Sequence, residues 1–220
     1  MATDLILVNS FAPRQRIACD ATLENGIALM RTYLEDQGFN VKVVDDLRVS
    51  SVENGVPSWC RTALRFLVRH QVALFKCNRI LGLLIMLLAW PFHSYALHCR
   101  RKYMDDLGNK IAAQVLAENI PIVGIKVWNG EAYSWSVKVA QKIRQTNPET
   151  IIVAGGPQVK VYGENILEKQ EFDLAIMGPG EEILEYFLRK RKEVSDKASF
   201  MGLVRRDRKS TRLNSSHLGI

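Results

Sequence analysis

The chain has 220 residues, of which 47% are hydrophobic and 24% are charged, so it can bury a sizeable core as one domain with an insertion or as two small domains. The net charge is +7, yet the basic residues are spread along the chain and are most frequent in residues 61–102 and in the C-terminal tail. Because they form no single basic tract, we expect no nucleic-acid partner.

The first part of the chain predicts one strand, helix and strand unit. Residues 4–9, DLILVN, predict a buried strand, and residues 40–44 predict a second strand. Asp4 stands where a signal peptide would be basic, so we expect no secretory signal and a cytoplasmic protein. Between the strands, helix spacing joins the apolar residues Leu23, Ile27, Met30 and Leu34.

An inserted segment, residues 55–104, interrupts this pattern after an irregular stretch. Its apolar run from Ile80 to Trp90 is broken by Pro91, extends to Phe92 at most and is too short to span a bilayer. We expect a helical hairpin whose apolar face covers this domain or a following one. The basic flanks leave a peripheral contact with a membrane surface as the alternative. Cys19, Cys60, Cys77 and Cys99 form no CxxC motif and favour reduced thiols over a disulfide or a zinc site.

The strand and helix alternation then resumes to the end of the domain. Three further strands are predicted at residues 121–127, 150–154 and 173–177, and the intervening helices at residues 105–115, 132–145, 164–169 and 181–191. Five strands with right-handed crossovers predict an α/β fold with a doubly wound parallel sheet in the flavodoxin-like order 2-1-3-4-5. The inserted helical hairpin is expected outside this sheet.

Loops with unusual composition follow the carboxyl ends of four strands. IIVAGGP ends in two glycines and a proline, which allow close approach to the backbone or simply make a tight turn. Ligands of open α/β sheets bind at this edge. The candidate ligand-contacting residues are Asn9, Ser10, Lys126, Val127, Trp128, Asn129, Gly155, Gly156, Pro157, Gln158, Gly178, Gly180 and Glu181.

The composition of these loops favours binding over catalysis. A flat indole, amide side chains and exposed backbone N–H groups suit a large planar ligand with amide arms and a phosphate. The sequence lacks GxGxxG, GxxxxGK[ST] and GxSxG, which argues against dinucleotide, P-loop nucleotide and serine hydrolase sites. Glu131, Glu181 and Glu182 are interpreted as helix-start charges, so no catalytic or metal-ligating residue is assigned.

The segments PIVGIKV, TIIVAGGPQV and FDLAIMGPGEEIL together resemble the cobalamin-binding domain at the N-terminus of many radical S-adenosylmethionine enzymes. The resemblance covers most of residues 4–191 apart from the insertion. It implies that Gly155 and Gly156 approach the cofactor and that residues 126–129 lie under the corrin. Pro179 stands where the family usually has Glu, and Lys126 where imidazole-ligating members have Ser or Thr. Residues 9–26 contain no His, so the resemblance implies a cobalt without a protein imidazole ligand.

The sequence predicts that the chain is divided into three parts. Residues 1–195 are expected to form the cobalamin-binding-like domain, and residues 196–206 resemble the start of a linker to a radical domain with a [4Fe-4S] cluster and S-adenosylmethionine. Residues 207–220, DRKSTRLNSSHLGI, resemble translated sequencing adapter, with a disordered polar tail as the alternative.

Two functions follow from these expectations. The first is a cobalamin-binding module that presents a corrin to the missing domain, in one form for methyl transfer. The alternative is a domain of the same fold that binds no cobalamin and uses the insertion as an interaction surface on a partner domain or membrane. A stand-alone enzyme is the least favoured reading.

Overall fold

A computed structural model describes residues 2–10, 25–45, 49–167, 171–194, 196–209 and 218–219. The strands are β1 (Leu5–Asn9), β2 (Val41–Val44), β3 (Ile122–Lys126), β4 (Ile151–Gly155), β5 (Leu174–Ile176) and β6 (Leu218–Gly219). The helices are α1 (Asn25–Asp36), α2 (Val49–Asn54), α3 (Ser58–Cys77), α4 (Arg79–Ala117), α5 (Glu131–Thr146), α6 (Pro157–Tyr162), α7 (Glu181–Glu193) and α8 (Lys197–Lys209), with a 3₁₀ turn at Gly163–Leu167.

The first five strands form a parallel sheet in the order β2-β1-β3-β4-β5. This confirms the predicted flavodoxin-like fold. The two-residue β6 extends the edge by pairing antiparallel with β5. Asn9 pairs with Lys126, and Lys126 pairs with Gly155, so β1, β3 and β4 end level with one another. The loops that follow these strands therefore leave the sheet from the same edge.

Helices cover both faces of the sheet and bury the inner strands along almost their whole length, while the edge strand β2 is only partly buried. Ile6 and Val8 of β1 pack in the core under α4 and α5, whereas Leu5 and Leu7 pack in the core under α1 and α7. Alternate residues of a strand point to opposite faces, so a strand buried on both sides must be apolar throughout. This explains why β1, β3 and β4 are continuous apolar runs in the sequence.

The segment that follows α7 folds back onto the domain as α8. Phe200 and Val204 are fully buried in the core on the α1 and α7 face. Lys197 lies 2.7 Å from the Asp173 carboxylate, and its burial lowers the pKa of the lysine. Most of residues 196–206, which the sequence suggested as the start of a linker, thus lie in a packed helix.

The insertion folds as a hairpin of α3 and α4, as predicted, but the expected break at Pro91 is wrong. Pro91 lies inside α4, which continues for 39 residues and includes the helix predicted at residues 105–115. Among the described residues, α4 is the one helix that is long and apolar enough to cross a membrane, with a mean hydropathy of 1.8 over 18 residues. Only 17% of that window is buried.

The outer part of the hairpin projects away from the sheet. We call residues 59–97 the hairpin arm. At its base Val56, Cys60 and Ala96 form a small core that is separate from the two cores of the sheet. Beyond this base most large apolar side chains of the arm are exposed. Of the two placements expected for this apolar face, packing on this domain is therefore wrong for the arm, and packing on a following domain stays a prediction.

Candidate functional site

A cleft of about 300 Å³ opens at the carboxyl edge of the sheet, between the strand ends and helices α1 and α7. Its floor is apolar and is formed by strand side chains such as Leu7, Val153 and Ile176. Seven of the predicted contact residues line it: Lys126, Gly155, Gly156, Pro157, Gly178, Gly180 and Glu181. The cleft therefore lies where the loop composition indicated it.

The turn after β4 forms one rim of the cleft. Gly156 has φ 102°, and a Cβ atom there would lie 3.0 Å from Lys126 Cγ and 3.3 Å from the Val127 carbonyl oxygen. Both the backbone conformation and the close neighbours thus require glycine. A Cβ atom at Gly155 would meet no atom within 4 Å, so the space beside this residue is open.

The turn after β5 forms the opposite rim. Gly178 has φ 134°, a backbone conformation that L side chains rarely adopt. A Cβ atom at Gly180 would lie 2.8 Å from Met30 Cε, so this glycine lets the start of α7 approach α1. Glu181 and Glu182 follow in the first turn of α7, where negative charge is stabilised by the helix dipole.

The loop after β3 lies next to the turn after β4, on the side away from the turn after β5, because β4 separates β3 from β5 in the sheet. The Lys126 ammonium lies 5.0 Å from the centroid of the Trp128 ring, within the range of a cation–π contact. Ser10 donates a hydrogen bond from its hydroxyl to the Lys126 carbonyl oxygen, which ties the end of β1 to this loop. Trp128 does not line the cleft itself but contacts Lys126, which does.

The other predicted contact residues do not line the cleft. Val127 is fully buried in the core, and Asn129 is exposed in the loop before α5. Asn9 donates to Asp45 at 2.8 Å, while its own side-chain oxygen is buried and has no hydrogen-bond partner among the described residues. Ser10, Trp128 and Gln158 complete the set outside the cleft lining. Of the predicted loop at residues 9–16, residues 11–16 lie outside the described residues.

Sequence reasoning missed the helical wall of the cleft. Ile27 and Met30 of α1 and Leu184 of α7 line it, yet the first two were interpreted only as part of the apolar face of a helix and Leu184 was given no role of its own. Right-handed crossovers place α1 and α7 on the same face of this strand order, and that rule could have predicted the wall. Tyr33 donates to Glu185 and joins the two helices; this bond raises the pKa of the tyrosine and lowers that of the glutamate.

The arrangement is suited to holding a ligand. Its glycine-rich rims expose backbone N–H groups, and its apolar floor would accept a flat hydrophobic group. Among the described residues, no group of three or more His, Cys, Asp or Glu side chains could hold a metal ion.

Comparison with protein families gives one match in this region. The family model of the B12 binding domain matches residues 97–188, which extend from within α4 into α7. The matched segment includes β3, β4, β5 and both glycine rims of the cleft. It confirms the resemblance that the sequence motifs indicated. No curated protein sequence matches the chain.

Two solved structures of the radical S-adenosylmethionine methyltransferase TsrM from Kitasatospora setae are similar to the chain. One contains a tryptophan substrate and the analogue aza-SAM; it is 16% identical over 87% of this chain, with a TM-score of 0.49. The other contains cobalamin and a [4Fe-4S] cluster; it is 16% identical over 87% of this chain, with a TM-score of 0.48. The chain spans about a quarter of their length, with 26% and 25% covered. At these values the similarity carries no argument about function.

Proposed function

We propose that this chain is a cobalamin-binding module whose cofactor serves a radical S-adenosylmethionine domain. The observation that carries the proposal is the position of the cleft. Its two glycine rims, at Gly155–Pro157 and Gly178–Glu181, lie within the segment that matches the B12 binding domain. In open α/β sheets this edge is the usual ligand site.

The residues of the cleft fit the chemical groups of cobalamin. The open space beside Gly155 and the apolar floor suit the flat nucleotide tail or a corrin edge. Asn129, in the loop after β3, and Gln158, in the first turn of α6, are at least partly exposed and would supply hydrogen bonds to amide arms. Bound cobalamin would supply a cobalt centre that carries a methyl group.

The loop after β3 is proposed to lie under the corrin without ligating cobalt through histidine. Residues 9–26 contain no His, and the Lys126–Trp128 pair occupies the end of β3. A lysine held over an indole presents a flat apolar surface with a positive edge. We therefore assign the accessible residues of this loop, Lys126, Trp128 and Asn129, to covering the lower cobalt face rather than to metal ligation, while Val127 is buried in the core beneath it.

The chemistry is assigned to a following domain. A [4Fe-4S] cluster and S-adenosylmethionine would be bound there, and methyl transfer is the proposed reaction class. The genomic reading frame beyond Arg206 tests this part of the proposal. We expect a CxxxCxxC motif within the next few dozen residues, and a frame that stops or continues without such a motif would contradict it.

Titration of the full chain with hydroxocobalamin tests the module directly. We expect a shift of the visible absorption spectrum and cobalt that is retained after desalting. Gly155→Val should abolish retention, because the valine side chain would enter the open space of the cleft. The variant should still fold, because β-branched residues are favoured in strands. Gly202→Val is the matched control, since Gly202 is exposed in α8 and a Cβ atom there would also meet no atom within 4 Å.

The second candidate is a domain of the same fold that binds no cobalamin. Lys126 and Pro179 favour it, because both depart from the residues that the resemblance would place there. Absence of any spectral shift with the folded chain would select this function over the first. Equal retention of cobalt by the chain and by Gly155→Val would instead place the binding site elsewhere.

A further inference from the structure

The hairpin arm exposes an unusual amount of apolar surface. Of the eighteen large hydrophobic side chains that are exposed among the described residues, fourteen lie between Trp59 and Tyr95. Leu87, Leu88 and Trp90 are each more than 60% exposed. Contiguous apolar surface of this kind marks an interaction site rather than an ordinary solvent face.

Packing between α3 and α4 does not use this surface. The buried positions of the outer part of α4 are Gly82, Ala89 and Ala96, which recur every seven residues and form a seam against α3. A Cβ atom at Gly82 would lie 2.6 Å from Phe75 Cγ, so the helices are already in close contact there. The larger residues of α4 face away from the seam and need another apolar environment.

The charge of the arm indicates what that environment is. Eight Lys or Arg residues and no Asp or Glu lie between Gly55 and Met104, which exceeds the net charge of +7 of the whole chain. Arg61, Arg65 and Arg69 are spaced by four and share one stripe of α3. Basic residues beside exposed apolar ones are typical of helices that lie on anionic lipid.

The same charges argue against a membrane-spanning hairpin. The apolar run from Ile80 to Phe92 is 13 residues, or roughly 20 Å of helix, against about 30 Å of hydrocarbon. The uncharged stretch from Ile80 to Cys99 is long enough, but α3 runs beside it and would carry its three arginines into the bilayer. Trp59 stacks on Tyr95 at 5.6 Å near the base of the arm, where an aromatic pair suits the interface.

We propose that the hairpin arm binds the surface of an anionic lipid bilayer, with the outer residues of α4 among the acyl chains and the arginines of α3 at the phosphates. Long arginine side chains can reach the headgroups while their stems stay in the apolar layer. The arm would hold the cofactor domain at the membrane without crossing it. This inference is independent of cobalamin binding.

Co-sedimentation of the full chain with vesicles tests the inference. One set of vesicles contains phosphatidylcholine alone, and the other contains equal amounts of phosphatidylcholine and phosphatidylglycerol. We expect at least about tenfold tighter binding to the second set, weakened by salt. Replacing Arg61, Arg65 and Arg69 by Gln should weaken it about fivefold for each residue changed.

Two matched double variants distinguish vesicle binding through the arm from non-specific binding by other exposed apolar residues. Leu84→Glu with Leu88→Glu should abolish vesicle binding, because both side chains are exposed on the outer part of α4. Leu29→Glu with Val161→Glu is the control, since these residues are even more exposed but lie outside the arm. Circular dichroism and the hydroxocobalamin titration should be unchanged in both variants.

Three results would overturn the inference. The first is no sedimentation of the folded chain with either vesicle. The second is equal loss of binding in both variant pairs. The third is a dimer, detected by light scattering, that Leu84→Glu with Leu88→Glu abolishes while vesicle binding persists; this would assign the arm to a second copy of the chain.

Discussion

The two halves of α4 differ in composition and in burial, because the more apolar N-terminal half is the one whose large side chains are exposed. In the C-terminal half, Leu107, Ile111 and Val115 recur at helix spacing and are buried against the sheet. In the N-terminal half, the large residues are exposed and the small ones, Gly82 and Ala89, are buried. The comparison shows that one continuous helix can serve as a core element at one end and as an interaction surface at the other.

The largest predicted effect is the difference in stability between truncations in the two halves. Ile111 is 1% exposed and Leu84 is 51% exposed. We expect Ile111→Ala to lower the free energy of unfolding by about 2–5 kcal/mol, because it leaves a cavity in the core. Leu84→Ala should change it by less than about 0.5 kcal/mol. Urea denaturation in vesicle-free buffer measures both, and equal losses would show that the arm is packed in solution.

Pro91 offers a second way to examine the outer half. It removes one backbone donor and crowds the carbonyl of residue 87, a cost of up to about 3 kcal/mol in a helix interior. Pro91→Ala should therefore stabilise the arm by about 1–3 kcal/mol. We expect at least about tenfold slower hydrogen exchange in residues 88–95, with no change in the C-terminal half of α4. Faster exchange would mean that the proline is required for the arm to pack.

The proline also shows where sequence reasoning failed. A local rule ends a helix at proline, and residues 80–90 and 105–115 were therefore assigned to separate elements. Contacts distant in the sequence reverse that preference. Trp59 packs edge-to-face on Phe92, and the Cys60 thiol donates to the Phe92 carbonyl oxygen at 3.5 Å, so α3 supports α4 just beyond the proline. Such support depends on the partner helix and cannot be inferred from the proline's neighbours.

The sheet was predictable because its signal is local and continuous. The bounds of β1, β3 and β4 differ by only one residue at either end from those predicted, since strands buried on both faces must be apolar throughout. The glycine turns that form the rims were also predictable from a local signal, because each follows its strand directly in the sequence. The α1 wall of the cleft was not, because Met30 contributes to it through its approach to Gly180, 150 residues away in the sequence.

The cap at the start of α4 gives a smaller, local prediction. The Asn78 side chain accepts hydrogen bonds from the backbone N–H groups of Ile80 at 2.9 Å and Leu81 at 3.4 Å. Asn78→Ala should destabilise the tip of the arm by about 1 kcal/mol. Hydrogen exchange of those two amides should become about fivefold faster. Asn78→Asp keeps the acceptor and should leave the rate nearly unchanged, so an equal acceleration in both variants would rule out the cap as the cause.

The opposite end of α4 gives the smallest effect and one that depends on pH. The Glu118 carboxylate accepts hydrogen bonds from Lys42 at 2.6 and 2.7 Å, from Gln114 at 2.9 Å and from Thr3 at 2.8 Å. These bonds, above all that of Lys42, lower the pKa of Glu118 from 4.5 to about 2. Because the folded pKa is depressed, the stabilisation is complete above pH 4.5 and is lost as the pH falls towards 2.

Glu118→Gln should therefore lower the Tm at pH 7, and its difference from the parent chain should shrink steadily between pH 4.5 and pH 2. Asp106→Asn, at an exposed position on the same helix, is the control and should change the Tm little at either pH. Thermal unfolding followed by circular dichroism measures all three chains. A difference between Glu118→Gln and the parent that stays constant across this range would show that ionisation of Glu118 is not the cause of the difference. The contact between β2 and the C-terminal end of α4 would then not depend on the ion pair of Lys42 and Glu118.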